Sequence, residues 1–86
     1  MHEIVLSQRA QSFLNKLDNL TRERIEKRLK NLENNPVPSG VKFIGRVNGE
    51  KLFRYRVGDY RALYLLNDKD RLILITKIDK RPRVYD

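Results

Sequence analysis

Apolar positions along the chain follow two different periods, and the change of period divides it. Ile4-Val5-Leu6 is a short apolar run that predicts a first strand. Ser7 follows it and offers a side-chain oxygen to the unpaired N–H groups of a helix start. Ala10, Phe13, Leu14 and Leu17 then recur at i, i+3, i+4 and i+7, one apolar stripe of a helix. Asp18-Asn19 interrupts the stripe. Thr21 is the expected cap of a second helix, with Leu20 and Ile25 spaced for a hydrophobic staple across it. Ile25, Leu29 and Leu32 form the second stripe, and Glu23–Lys27 and Glu26–Lys30 are favourable pairs on its wet side. Asn34-Asn35-Pro36 ends the helix, because a residue before proline avoids the helical region. The two helices predict an αα-hairpin.

Beyond a loop at 36–40 the period falls to two. Strands are expected at 41–47, 51–57, 60–67 and 71–79, joined by turns at Asn48-Gly49, Gly58-Asp59 and Asp68-Lys69. The order β-α-α-β-β-β-β defines an α+β fold in which the N-terminal αα-hairpin packs on a mostly antiparallel sheet. Side-chain alternation then assigns the faces. A two-residue turn at Gly58-Asp59 pairs Val57 with Tyr60, Arg56 with Arg61, Tyr55 with Ala62 and Arg54 with Leu63. A turn centred on Asp68-Lys69 sets Ala62 against Ile75 and Arg61 against Thr76. One face is then apolar and aromatic (Phe53, Tyr55, Val57, Tyr60, Ala62, Tyr64, Ile73, Ile75) and should receive the helices. The other is mixed, with Leu52, Leu63, Leu74, Thr76 and Ile78 beside three arginines, and its leucines have no evident cover.

Composition narrows the class. At 86 residues the chain is expected to be a single domain, 1–86, with one modest core. The longest apolar runs, such as 72–75, are far below the ~20 residues of a membrane helix, and no basic-then-apolar leader opens the sequence, so a cytoplasmic protein without a membrane partner is expected. Without cysteine there is no disulfide framework or thiolate metal site. The net charge of +8 points to a polyanionic partner, nucleic acid first. That charge is uneven: residues 44–86 carry +5, concentrated in Arg54–Arg56–Arg61 and in Lys77–Lys80–Arg81–Arg83.

The candidate chemistry lies in those clusters. Arg56 opposite Arg61 places like charges across a strand pair, which destabilises a sheet by roughly 0.2–1 kcal/mol. An anion held between them explains the arrangement. The bland alternative is that each arginine reaches water or pairs with Asp59 or Asp79. Residues 80–86 leave the last strand beside the Gly58-Asp59 turn, which brings Arg81, Arg83 and Tyr85 towards Arg56 and Arg61. Forked guanidinium groups match phosphate oxygens in pairs, and Tyr85 can stack on a base or handle a proton. Against this stands a frayed basic terminus with nonspecific electrostatics. His2 is the lone histidine and lies at the chain end; no carboxylate set has metal-ligand spacing, and no phosphate-binding glycine loop or nucleophile elbow occurs. An enzyme built from these residues is expected to work with cations and tyrosine, with no metal and no cofactor.

The element order, the stretch Leu52-Phe-Arg-Tyr-Arg-Val-Gly-Asp-Tyr-Arg61-Ala-Leu-Tyr64 and the ending Lys80-Arg-Pro-Arg-Val-Tyr85 resemble the RelE/ParE superfamily of toxin–antitoxin toxins over essentially the whole chain. The basic ending with its tyrosine favours the RelE branch. That resemblance implies a ribosome-dependent ribonuclease (an mRNA interferase) that cuts mRNA in the ribosomal A site by bringing a 2′-hydroxyl onto the next phosphate. It also implies neutralisation by an acidic RelB-like antitoxin whose helix and strand wrap the toxin. Residue by residue, Arg61 matches the arginine after the strand tyrosine, and Arg81 the phosphate-binding arginine after the last strand, with Arg83 a second basic position. Tyr85 matches the C-terminal tyrosine that stacks on the nucleotide and takes part in proton transfer. Arg54 and Arg56 stand where the best-known bacterial members carry lysine. Lys77 and Lys80 complete the expected nucleic-acid contacts. Arginine stabilises a crowded anionic phosphorus but, with a pKa above ~12, is a poor proton carrier. Two other functions share the architecture: a ParE-like toxin directed at DNA gyrase, and a non-catalytic RNA-binding module.

Overall fold

The computed structural model describes residues 1–81. It contains β1 (Glu3–Leu6), α1 (Gln8–Asn15), α2 (Asn19–Lys30), a 3-10 turn (Asn31–Glu33), β2 (Lys42–Val47), β3 (Glu50–Val57), β4 (Tyr60–Asn67) and β5 (Leu72–Lys80). The expected α+β order is observed. One sheet runs β1-β5-β4-β3-β2, antiparallel except where β1 lies parallel to β5.

Each helix start is capped by a side chain. Ser7 Oγ accepts from the Ala10 N–H and also donates to the Thr76 carbonyl at 2.9 Å, so one hydroxyl both starts α1 and ties it to β5. The α2 cap is Asp18, not Thr21: Asp18 Oδ2 accepts from the Thr21 N–H at 3.1 Å. Hydrogen bonding from the Thr21 side chain, and then from its N–H, holds the Asp18 carboxyl below its ordinary pKa. The staple fails with the cap, since the helix begins earlier and leaves Leu20 76% exposed. α2 also ends sooner than expected, at Lys30, and its last apolar residue, Leu32, enters the core from the 3-10 turn.

Both helices pack on one sheet face. Ala10, Leu14, Ile25, Leu29 and Leu32 meet Phe53, Tyr55, Val57, Ala62, Tyr64, Ile73 and Ile75 in a continuous core. Each leucine, isoleucine or valine among them contributes roughly 1.5–3 kcal/mol when fully buried. Tyr64 is completely buried and donates its hydroxyl to the Pro36 carbonyl at 2.6 Å, fixing the loop that leaves the helical layer. Arg28 of α2 donates from Nε to the Tyr55 hydroxyl at 3.2 Å, so the helix layer is also hydrogen-bonded to the sheet.

The β3–β4 register is the expected one, from Val57–Tyr60 to Arg54–Leu63. The β4–β5 register is not. The turn is longer, with Asn67 paired to Leu72, and the pairing slips by one residue between Leu63 and Tyr64. Thr76 is the extra residue of this bulge, and its hydroxyl donates to the Leu63 carbonyl at 3.3 Å. Two consequences correct the parity argument. Ile78 pairs with Ala62 and is buried in the core, and Arg61 faces Asp79 rather than Thr76. Among the described residues no helix is long and apolar enough to cross a membrane.

Candidate active site

The face of the sheet away from the helices is organised in cross-strand rows. Val5, Leu74, Leu65 and Leu52 are successive partners and form an apolar row. The leucines of this row are half-buried. The next row is Lys77, Leu63, Arg54 and Lys42, and the next is Asp79, Arg61 and Arg56. The face therefore grades from apolar at its centre to cationic at the end where β3 turns into β4.

Gly58 makes that turn possible, with φ of +59°, a conformation an L side chain rarely takes. The chain leaving β5 returns to the same turn. The Arg81 N–H donates to the Asp59 carbonyl at 2.6 Å, and Arg81 Nη1 donates to the Gly58 carbonyl at 3.3 Å. Arg81 thus stands beside Arg56, and together with Arg54 and Arg61 it depresses the Arg56 guanidinium below its ordinary pKa. Three like charges thus converge on one exposed side chain.

The arginines differ in what balances them. Arg61 donates from Nε to Asp79 Oδ1 at 2.8 Å and from Nη2 to Oδ2 at 3.5 Å, while Lys77 Nζ lies 3.5 Å from the same Oδ2. The bland expectation that an arginine pairs with Asp79 is met at Arg61. Arg56 has no carboxylate partner among the described residues. Lys80 is exposed and pairs with Tyr60 across the strands. Arg54, Arg56, Arg61, Lys77 and Arg81 are brought to one end of one face; Arg83 and Tyr85 lie outside the described residues.

One contributor escaped the sequence reading. Arg24 of α2 approaches the turn from the helix side, with its Nη1 4.0 Å from where a Cβ on Gly58 would sit. Its place there follows from how α2 sits on the sheet, which the apolar stripe of the helix does not encode. Chemically, these guanidinium groups can hold a phosphate and stabilise charge building on its oxygens.

The fold and this cationic face define the class of small α+β toxins. The family model for the ParE toxin of type II toxin–antitoxin systems, parDE, matches residues 4–85, and the chain belongs to that family within the RelE/ParE superfamily. It is 31% identical over 64 residues to the RelE1 protein of Methanocaldococcus jannaschii, a relative assigned as a toxin, covering 73% of this chain and 71% of the relative. The archaeal RelE–RelB complex from Pyrococcus horikoshii superimposes with a TM-score of 0.86 at 29% identity, covering 96% of this chain and 98% of that one. The isolated E. coli RelE toxin shares the fold, with a TM-score of 0.76 at 20% identity over 98% of this chain and 88% of its own.

Proposed function

We propose that this RelE-like toxin is a ribosome-dependent endoribonuclease that cuts mRNA in the A site and stops translation. The convergence of Arg54, Arg56, Arg61 and Arg81 at one end of the outer face carries the reading. The 2′-oxygen of one nucleotide gives up its proton and bonds to the adjacent phosphorus. The bond to the 5′-oxygen breaks and that oxygen takes up a proton, leaving a cyclic phosphate and a 5′-hydroxyl. Arg61 and Arg81 hold the phosphate, because forked contacts strengthen as the phosphorus centre gains negative charge. Arg54 and Arg56 add field rather than proton transfer, and Lys77, Lys80 and Arg83 follow the flanking backbone. Tyr85 stacks on the nucleotide and shares in moving the proton. The charge that a metal would otherwise supply comes from the guanidinium groups.

The chain works as one domain, 1–86, in the cytoplasm, with an acidic RelB-like antitoxin as its partner. Three features support that partner: the Pyrococcus relative is a complex of RelE with RelB; the Val5–Leu52 row offers an amphipathic helix an apolar track beside a cationic one; and β2 is an edge strand with Phe43, Ile44 and Val47 exposed, where an added strand can pair.

The ParE description of the family model favours a second reading, a toxin directed at DNA gyrase. Pulse-labelling after induction separates the two. Protein synthesis should stop within minutes while DNA synthesis continues at first. Replication that stalls first, with mRNA intact, establishes the gyrase reading instead.

A further inference from the structure

Lys77 and Asp79 have a second neighbourhood. The β1–β5 register ends at Leu6–Ile75, where the chain turns away through Ser7 into α1. From Thr76 to Lys80, β4 is the only strand beside β5 among the described residues. Between α1 and this uncovered stretch lies a cleft of about 360 Å³, lined by Arg9, Ser12, Phe13 and Lys16 on one side and by Lys77 and Asp79 on the other. That is the size of a small-ligand site.

The residue types are unusual for a simple surface groove. Arg9, Ser12, Phe13 and Lys16 stand at i, i+3, i+4 and i+7, so one helix face presents a cation at each end with a hydroxyl and an aromatic ring between them. The first turn of α1 holds no acid and instead carries Arg9, where the helix dipole disfavours a cation by a few tenths of a kcal/mol or more. Helix stability therefore does not explain Arg9. Phe13 is held edge-on against Tyr60, ring centroids 6.0 Å apart, and Tyr60 starts the strand that carries Arg61. The cleft also touches the arginine cluster directly: Asp79 binds Arg61 through Oδ1 and Lys77 through Oδ2. One carboxylate is the partition between the two sites.

The geometry points to this cleft as a second nucleotide subsite, which holds the phosphate and base of the RNA residue next to the scissile linkage. The assignment rests on the reading of the arginine cluster as the phosphate site. Arg9, Lys16 and Lys77 contact the backbone, and the Phe13 ring offers a stacking surface that accepts any base. Ser12 supplies a hydrogen bond to sugar or phosphate.

The test uses the full chain and oligoribonucleotides with 2′-O-methyl sugars, which bind but cannot cyclise. A hexanucleotide should bind more tightly than a dinucleotide and with a steeper salt dependence. Arg9 and Lys16 are exposed, so the double variant Arg9→Ala/Lys16→Ala should fold normally, checked by circular dichroism. Its hexanucleotide slope, log affinity against log salt, should be shallower by roughly 1.4, since each single-strand phosphate contact contributes about 0.7. Lys51→Ala/Lys69→Ala removes the same charge at the other end of the sheet and should leave the slope at the wild-type value. The subsite is overturned by a wild-type slope in Arg9→Ala/Lys16→Ala, or by equal flattening in both double variants. Cleavage on programmed ribosomes is measured separately. A wild-type chain that binds in this pattern without cutting refutes the ribonuclease reading and keeps the subsite, whereas unchanged slopes with normal cutting refute the subsite alone.

Discussion

Arg61 and Asp79 face each other across β4 and β5, with Arg61 Nε 2.8 Å from Asp79 Oδ1, while Arg56 faces Arg61 from the opposite strand without a carboxylate of its own among the described residues. The pair is about a third exposed on both sides, a setting in which an ion pair contributes only ~0–1 kcal/mol. Its effect is on the site: it orients Arg61 and cancels part of the field that would attract a phosphate.

Asp79→Asn should therefore leave stability within about 1 kcal/mol of wild type and tighten binding of single-stranded RNA, with a steeper salt dependence. Urea unfolding and binding titrations at two salt concentrations check this. Loss of folding, or unchanged affinity, would show that Asp79 is a structural residue only.

The same pair shows how far the sequence could be read. The β3–β4 register needed only the glycine turn and strict alternation, so Arg56 opposite Arg61 was legible, as were the apolar core positions of β3 and β4. The partner of Arg61 was not. It depends on a longer turn before Leu72 and on the bulge at Thr76, which is held by Ser7 and Leu63, residues distant in sequence. One inserted residue reverses every later side chain, which sends Ile78 inward and carries Asp79 to Arg61. The Asp18 cap was missed for a simpler reason: Asp18 and Thr21 are both good caps, and only the hydrogen bond tells which begins the helix. Arg24 reaches the turn through helix packing, which no local pattern records.

Arg56 is the arginine whose charge is least balanced, pressed by Arg81, Arg54 and Arg61. Arg56→Ala should flatten the salt dependence of RNA binding by about 0.7, one single-strand phosphate contact. An unchanged slope would place Arg56 away from the backbone.

Ser7 joins two parts of the fold. Ser7→Ala removes the α1 cap and the bond to the Thr76 carbonyl at once. It should cost about 1–2 kcal/mol in urea unfolding, the upper part of the range for a lost cap. Ser7→Asp, which keeps a capping oxygen but cannot donate to Thr76 when ionised, should recover only part of the loss.

Tyr64 gives the fold an alkaline limit. Burial raises its phenol above the ordinary value of 10.0, so the folded chain holds that proton more tightly than the unfolded chain does. Its contribution is whole below that ordinary value and is lost as pH rises through the folded one. Tyr64→Phe should cost about 1 kcal/mol at neutral pH, from the bond to Pro36, and should show a shallower loss of stability above about pH 10 than wild type. Denaturation midpoints measured across that range decide it.

Single-turnover cleavage of mRNA on programmed ribosomes tests the central claim most directly. The wild-type chain should cut in the A site and leave a cyclic phosphate, and should cut the same RNA poorly without ribosomes. Arg61→Ala and Arg81→Ala should each slow the step by about 10²–10³-fold, the loss of one contact to the developing charge. Tyr85→Ala should slow it further than Tyr85→Phe if stacking adds to the proton role. Intact mRNA with the wild-type chain, or wild-type rates in both arginine variants, would contradict the account.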